Sequence, residues 1–125
     1  METTASQIPG YTYGTPDAAR SPISIAEFEQ LKQSVGFTTE DERCLRIAGE
    51  VLRGQTKELV ETWRGEIAKA PHLARHSRDP NGKPIQRYSE ASGLRFQQWI
   101  LDTCLRPYDQ DWLNYQQEIA CAIRI

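Results

Sequence analysis

The sequence has 125 residues, with 15 basic and 17 acidic side chains and a formal net charge of −2, so it predicts one globular domain without the basic stripe that nucleic-acid binding needs. No window reaches the ~20 apolar residues of a membrane-spanning helix, and the N-terminus lacks the basic and apolar regions of a secretory signal. We therefore expect a cytoplasmic protein that binds neither nucleic acid nor membranes.

Residues 1–23 predict an extended N-terminal arm, followed by a helical domain over residues 24–125. The arm contains three prolines and two glycines, which interrupt both helices and strands. It also carries Tyr11 and Tyr13, whose amphipathic rings gain free energy by packing against a surface.

Two capping signatures open the helical region. Ser24 followed by Glu27 predicts a helix over about 24–35, because the serine side chain and the glutamate satisfy each other's backbone N–H groups. Thr39 followed by Glu42 repeats the signature and predicts the start of a second, longer helix.

Apolar spacing continues this second helix from about 40 to 70, with a bend near Gly54 and an end at Pro71. The segment Asp79–Gly82 predicts a loop. A helix over about 85–104 and a last helix from 108 or 109 follow. The expected fold class is therefore all-α, with about four helices.

The cysteines and histidines suggest no chemistry of their own. Cys44, Cys104 and Cys121 are too widely spaced for a disulfide framework or a CxxC metal site, and we expect reduced, mostly buried thiols. His72 and His76 are four apart, as metal ligands on a helix would be, but they border the loop and have no evident third ligand. A solvated pair is the favoured interpretation.

Large aromatic side chains are numerous for so short a chain, at Trp63, Phe96, Trp99 and Trp112. Aromatic walls suit a flat conjugated ligand. Such residues more often form an ordinary core, however, so periodicity alone identifies no ligand.

Several longer strings resemble the protoglobin family, a group of heme-binding globins related to the heme domain of globin-coupled sensors. They occur in the family's order and spacing over residues 8–119, and those in the second half of the chain are the most specific. The strings are IPGYTYG (8–14), FTTEDE (37–42), AGEVL (48–52), Thr62-Trp63, PHL (71–73), RFQQWILDT (95–103) and RPYDQDWLNYQQEI (106–119).

The resemblance implies a globin-like fold with an extra N-terminal helix, which would be the helix at 24–35. It implies heme as cofactor, with Trp63 and Phe96 as distal side chains and with Tyr11 and Tyr13 on an arm over the heme. Family members place a tyrosine after the tryptophan, and here this position is Arg64. An arginine can donate a hydrogen bond to bound dioxygen, although a long cation also favours water.

The family pattern is intact up to Ile119 and is lost at once after it. After this point the family continues with one small residue and then Leu-Arg-His, whose histidine binds the heme iron, and the corresponding position here is Ile123. We expect that a one-base frameshift removed this histidine together with the last two globin helices, so that residues 24–125 form an incomplete protoglobin-like domain with no assigned metal ligand.

The resulting expectation is a heme-binding domain for dioxygen, carbon monoxide or nitric oxide, acting as carrier, scavenger or sensor input and impaired by the missing histidine. It is not expected to be an enzyme, and a homodimer is compatible with the resemblance. The alternative is a heme-free truncated fragment or a helical interaction module.

Overall fold

The computed structural model describes residues 8–75 and 86–122, and these are helical apart from turns and irregular connections. Within those ranges no helix is long and apolar enough to cross a membrane. The expected all-α class is confirmed, since the described residues form helices and no strands. The helices are α1 (Ile25–Ser34), α2 (Thr39–Leu52), α3 (Thr56–Ala68), α4 (Pro71–Ala74), α5 (Gln86–Leu105) and α6 (Gln110–Ala122).

Internal contacts divide the chain into two compact units. The first unit consists of Met1–Tyr11 and Val51–Leu101, and the second of Thr12–Glu50 and Asp102–Ile125. The first unit therefore contains α3, α4 and most of α5, whereas the second contains α1, most of α2, and α6.

Local capping starts α1 where the sequence predicts it. The Ser24 side chain accepts a hydrogen bond from the Glu27 N–H, and the Glu27 carboxylate accepts one from the Ser24 N–H. The predicted cap of α2 is wrong by one residue. The Thr38 N–H donates a hydrogen bond to the Asp41 carboxylate at 2.8 Å. Thr38 is therefore the capping residue, and Thr39 is the first residue of the helix.

The prediction of a single helix over 40–70 is also wrong, because the helix is interrupted between α2 and α3. Gln55 N–H donates to the Leu52 carbonyl at 2.8 Å, which closes a tight turn around Gly54. Glycine loses the most backbone entropy in a helix, so a break costs least there. Pro71 is the first residue of a further short helix, α4. The described residues therefore form six helices instead of about four.

In the second unit the arm is held by polar groups of α6. Ala19 N–H donates to the Glu118 carboxylate and Ser21 N–H donates to the Asn114 side-chain oxygen, each at 2.9 Å. Tyr115 on the same helix is 1% exposed and lies at the centre of this unit's core. This part of the arm is therefore irregular but attached.

Cysteine burial differs from the expectation. Cys104 and Cys121 are half-buried, but Cys44 is exposed, because it lies on the outward face of the amphipathic helix α2. The loop at Asp79–Gly82 lies outside the described residues, as do His76 and Ile123.

We expect Gly49→Ala to lower the free energy of unfolding by about 1–3 kcal/mol, the usual cost of overpacking a core. A β-carbon at Gly49 would lie 2.6 Å from a methyl carbon of Leu105 and 2.8 Å from the Cys104 β-carbon. Denaturant unfolding followed by helical circular dichroism measures the change.

Gly65→Ala in α3 is the matched control, because nothing lies within 4 Å of the added carbon. It should raise stability by about 0.5–1 kcal/mol through helix propensity. Equal effects of the two substitutions would contradict the close approach at Gly49.

Candidate functional site

Two aromatic rings that the sequence places 33 residues apart meet in the first unit. Trp63 on α3 and Phe96 on α5 have ring centroids 5.0 Å apart at an interplanar angle of 81°. This edge-to-face arrangement is one that aromatic quadrupoles favour. Trp63 nevertheless remains 48% exposed, so part of the indole surface is accessible to a flat ligand.

Arg64 lies beside these rings. Its Nη2 donates a hydrogen bond to the Ser92 hydroxyl oxygen, and its guanidinium carbon lies 6.0 Å from the centre of the Phe96 ring. Ser92 is only 3% exposed. The buried hydroxyl therefore holds the cationic group against α5, although an unrestrained arginine side chain would extend into water.

Gly93 leaves the space that the guanidinium occupies. A β-carbon at this position would lie 3.3 Å from Nη1 of Arg64 and 3.6 Å from its Cζ. We call Ser92 and Gly93 together the Arg64 seat. Sequence reasoning missed the seat, and the available signal was a pair of small residues about one helical turn before Phe96.

The two tyrosines of the arm belong to different units. Tyr11 is half-buried in the first unit, where Arg95 holds the neighbouring segment by donating to the Pro9 carbonyl at 2.8 Å. Tyr13 belongs to the second unit, where its ring lies 5.4 Å from that of Tyr115.

Tyr13 is held between an aromatic ring and a cation. The Arg106 guanidinium lies 4.3 Å from the Tyr13 ring centre and is itself bonded through Nε to Asp102 at 2.8 Å. Burial, reinforced by the negative charge of Asp109, raises the pKa of the Tyr13 phenol. Its hydroxyl therefore stays protonated at physiological pH.

The residues fit a porphyrin body better than its iron. The Trp63 and Phe96 rings provide an apolar surface of the kind that flat ligands contact. The position expected from the resemblance to hold the iron ligand is Ile123, and a hydrocarbon side chain has no lone pair for a metal. Over residues 8–75 and 86–122 no group of three or more His, Cys, Asp or Glu side chains is arranged to hold a metal ion.

Comparison with known proteins agrees with the strings found in the sequence. The family model described as Protoglobin matches residues 25–123. A search of curated proteins found no significant relative.

A double-mutant cycle tests the seat. Ser92→Ala should lower the free energy of unfolding by about 1–3 kcal/mol, since it removes the hydrogen bond between the guanidinium and a buried hydroxyl. With Arg64→Met already present, the same change should cost clearly less, giving a coupling of about 1 kcal/mol. Strictly additive effects in denaturant unfolding would mean that the hydrogen bond contributes nothing.

Proposed function

Because the chain belongs to the protoglobin family, we propose that it is a globin-type heme domain that lacks the family's axial histidine. It keeps the distal wall, by which we mean Trp63, Phe96 and the adjacent Arg64. The family implies a gas-binding heme domain rather than an enzyme. The contact between Trp63 and Phe96, with Arg64 held beside it, is the observation that supports the proposal most directly.

The distal wall acts by contact and by placing a hydrogen-bond donor. Burying an aromatic side chain against a porphyrin contributes about 1.5–3 kcal/mol per ring. The seat keeps Arg64 near Phe96, where a guanidinium N–H can donate to a polar diatomic ligand such as dioxygen. Heme iron, when bound, would supply the site for dioxygen, carbon monoxide or nitric oxide.

Position 123 sets the limit on this function. Isoleucine cannot form the axial bond, and His72, on the short helix α4, is exposed. Heme binding then depends on apolar contact, and we expect it to be weaker than with a fixed axial bond. A role as carrier, scavenger or sensor input, in the cytoplasm and as a homodimer, remains a prediction.

Exposed apolar side chains favour a second candidate, a heme-free helical interaction module. Ile47 and Val51 lie four residues apart on α2 and are 53% and 63% exposed, so they share one face of the helix. Apolar patches of this kind often mark protein contacts. Concentration-dependent association without specific hemin binding would favour this candidate.

Hemin titration followed by visible absorption and tryptophan quenching tests the distal wall. Trp63→Ala and Phe96→Ala should each weaken hemin binding by about tenfold or more, given the ring contribution above. Trp99→Ala is the matched control, since this tryptophan is also partly exposed and lies on α5. Equal losses in all three variants would contradict the assignment of the wall.

Restoring an imidazole at position 123 tests the missing ligand. Ile123→His should strengthen hemin binding and produce the Soret band of histidine-ligated heme, because imidazole nitrogen supplies the axial bond. Ile125→His adds the same group two positions further along and should change neither property. If both variants behave alike, the family register at position 123 is wrong.

A further inference from the structure

A cavity in the second unit is lined by residues other than those of the distal wall. It has a volume of about 210 Å³, and its lining comes from α1, α2, the end of α5 and the connection from α5 to α6. With ~30 Å³ for each water-sized group, the cavity admits about seven non-hydrogen atoms, the size of an amino acid with a short side chain.

Most charged groups around the cavity already have partners. The Lys32 ammonium pairs with Glu29 and the Arg106 guanidinium with Asp102, each at 2.8 Å. The Asp109 carboxylate accepts a backbone N–H of α6 at 3.0 Å. These bonds already use part of each group's hydrogen-bonding capacity.

Three lining groups remain without partners. In the described part of the chain, Arg46 and Glu42 take part in no side-chain hydrogen bond or ion pair, although they lie one helical turn apart on α2. The Thr103 hydroxyl oxygen is buried and likewise has no partner among the described residues. A buried hydroxyl without a partner is unfavourable, and a bound polar molecule can supply the missing hydrogen bond.

The remaining wall is uncharged. Leu45 and Pro107 are apolar, and burial raises the pKa of the Cys104 thiol, so it stays protonated. Tyr108 uses its hydroxyl to donate to the Thr103 carbonyl at 2.5 Å and presents its ring to the cavity. A short hydrocarbon side chain fits such a wall.

We propose that this cavity binds a small zwitterion of the free α-amino-acid type, with its carboxylate on Arg46, its ammonium group on Glu42 and the Thr103 hydroxyl as a neutral hydrogen-bond partner. A simple anion would pair with Arg46 and be repelled by Glu42, and a simple cation would meet the opposite arrangement. A zwitterion satisfies both charges at once. The cavity includes no residue of the proposed heme wall, and binding there does not depend on heme.

Ligand analogues test the charge pattern on the unmodified chain. We expect saturable binding of L-valine in a calorimetric or NMR titration. Isovalerate, which lacks the ammonium group, and isobutylamine, which lacks the carboxylate, should each bind about tenfold more weakly or worse, since each loses one charged hydrogen-bonding contact. No saturable binding of L-valine at millimolar concentration, or equally tight binding of either analogue, overturns the proposal.

Variants on α2 test the residues. Arg46→Gln and Glu42→Gln should each weaken L-valine binding by about tenfold. Arg43→Gln and Glu40→Gln are matched controls, because both residues lie on the same helix and are exposed. The Arg43 guanidinium already pairs with the Glu40 carboxylate at 2.5 Å. The controls should bind L-valine like the unmodified chain. Equal weakening by controls and cavity variants overturns the assignment.

Discussion

The hydrogen bond from Arg64 to Ser92 is the constraint on which the polar group of the candidate heme wall depends. It places a cation against α5 at the cost of restraining a long side chain, and the absence of a β-carbon at Gly93 makes the position sterically accessible. With the guanidinium held there, its central carbon lies 6.0 Å from the Phe96 ring centre. If the side chain were released to water, the wall would keep its rings and lose its polar group.

Features encoded within one helical turn could be predicted from the sequence. The capping box of α1 depends only on Ser24 and Glu27, and it forms as expected. The start of α2 was missed by one residue because Thr38 with Asp41 offers the same chemistry as Thr39 with Glu42. Local spacing cannot choose between two adjacent caps of equal strength.

Features that depend on distant contacts could not be predicted in this way. Apolar periodicity runs through Gly54, yet the chain turns there and the Thr56 hydroxyl bonds to the Gln97 side chain at 3.2 Å. The pairing of Trp63 with Phe96 could be expected only from the resemblance to a family. The apolar periodicity within one helix does not show which residue of another helix it contacts. The small residues Ser92 and Gly93 indicate no function by their side chains alone. Their role follows only from the position of the Arg64 guanidinium beside them.

The central claim is that this family member contacts heme through its distal wall without a bond between the heme iron and a histidine. Resonance Raman spectroscopy of the ferrous, heme-loaded chain tests this most directly, because the iron–histidine stretching band reports the axial bond itself. The account predicts bound heme without that band. A clear iron–histidine band from the unmodified chain would contradict it.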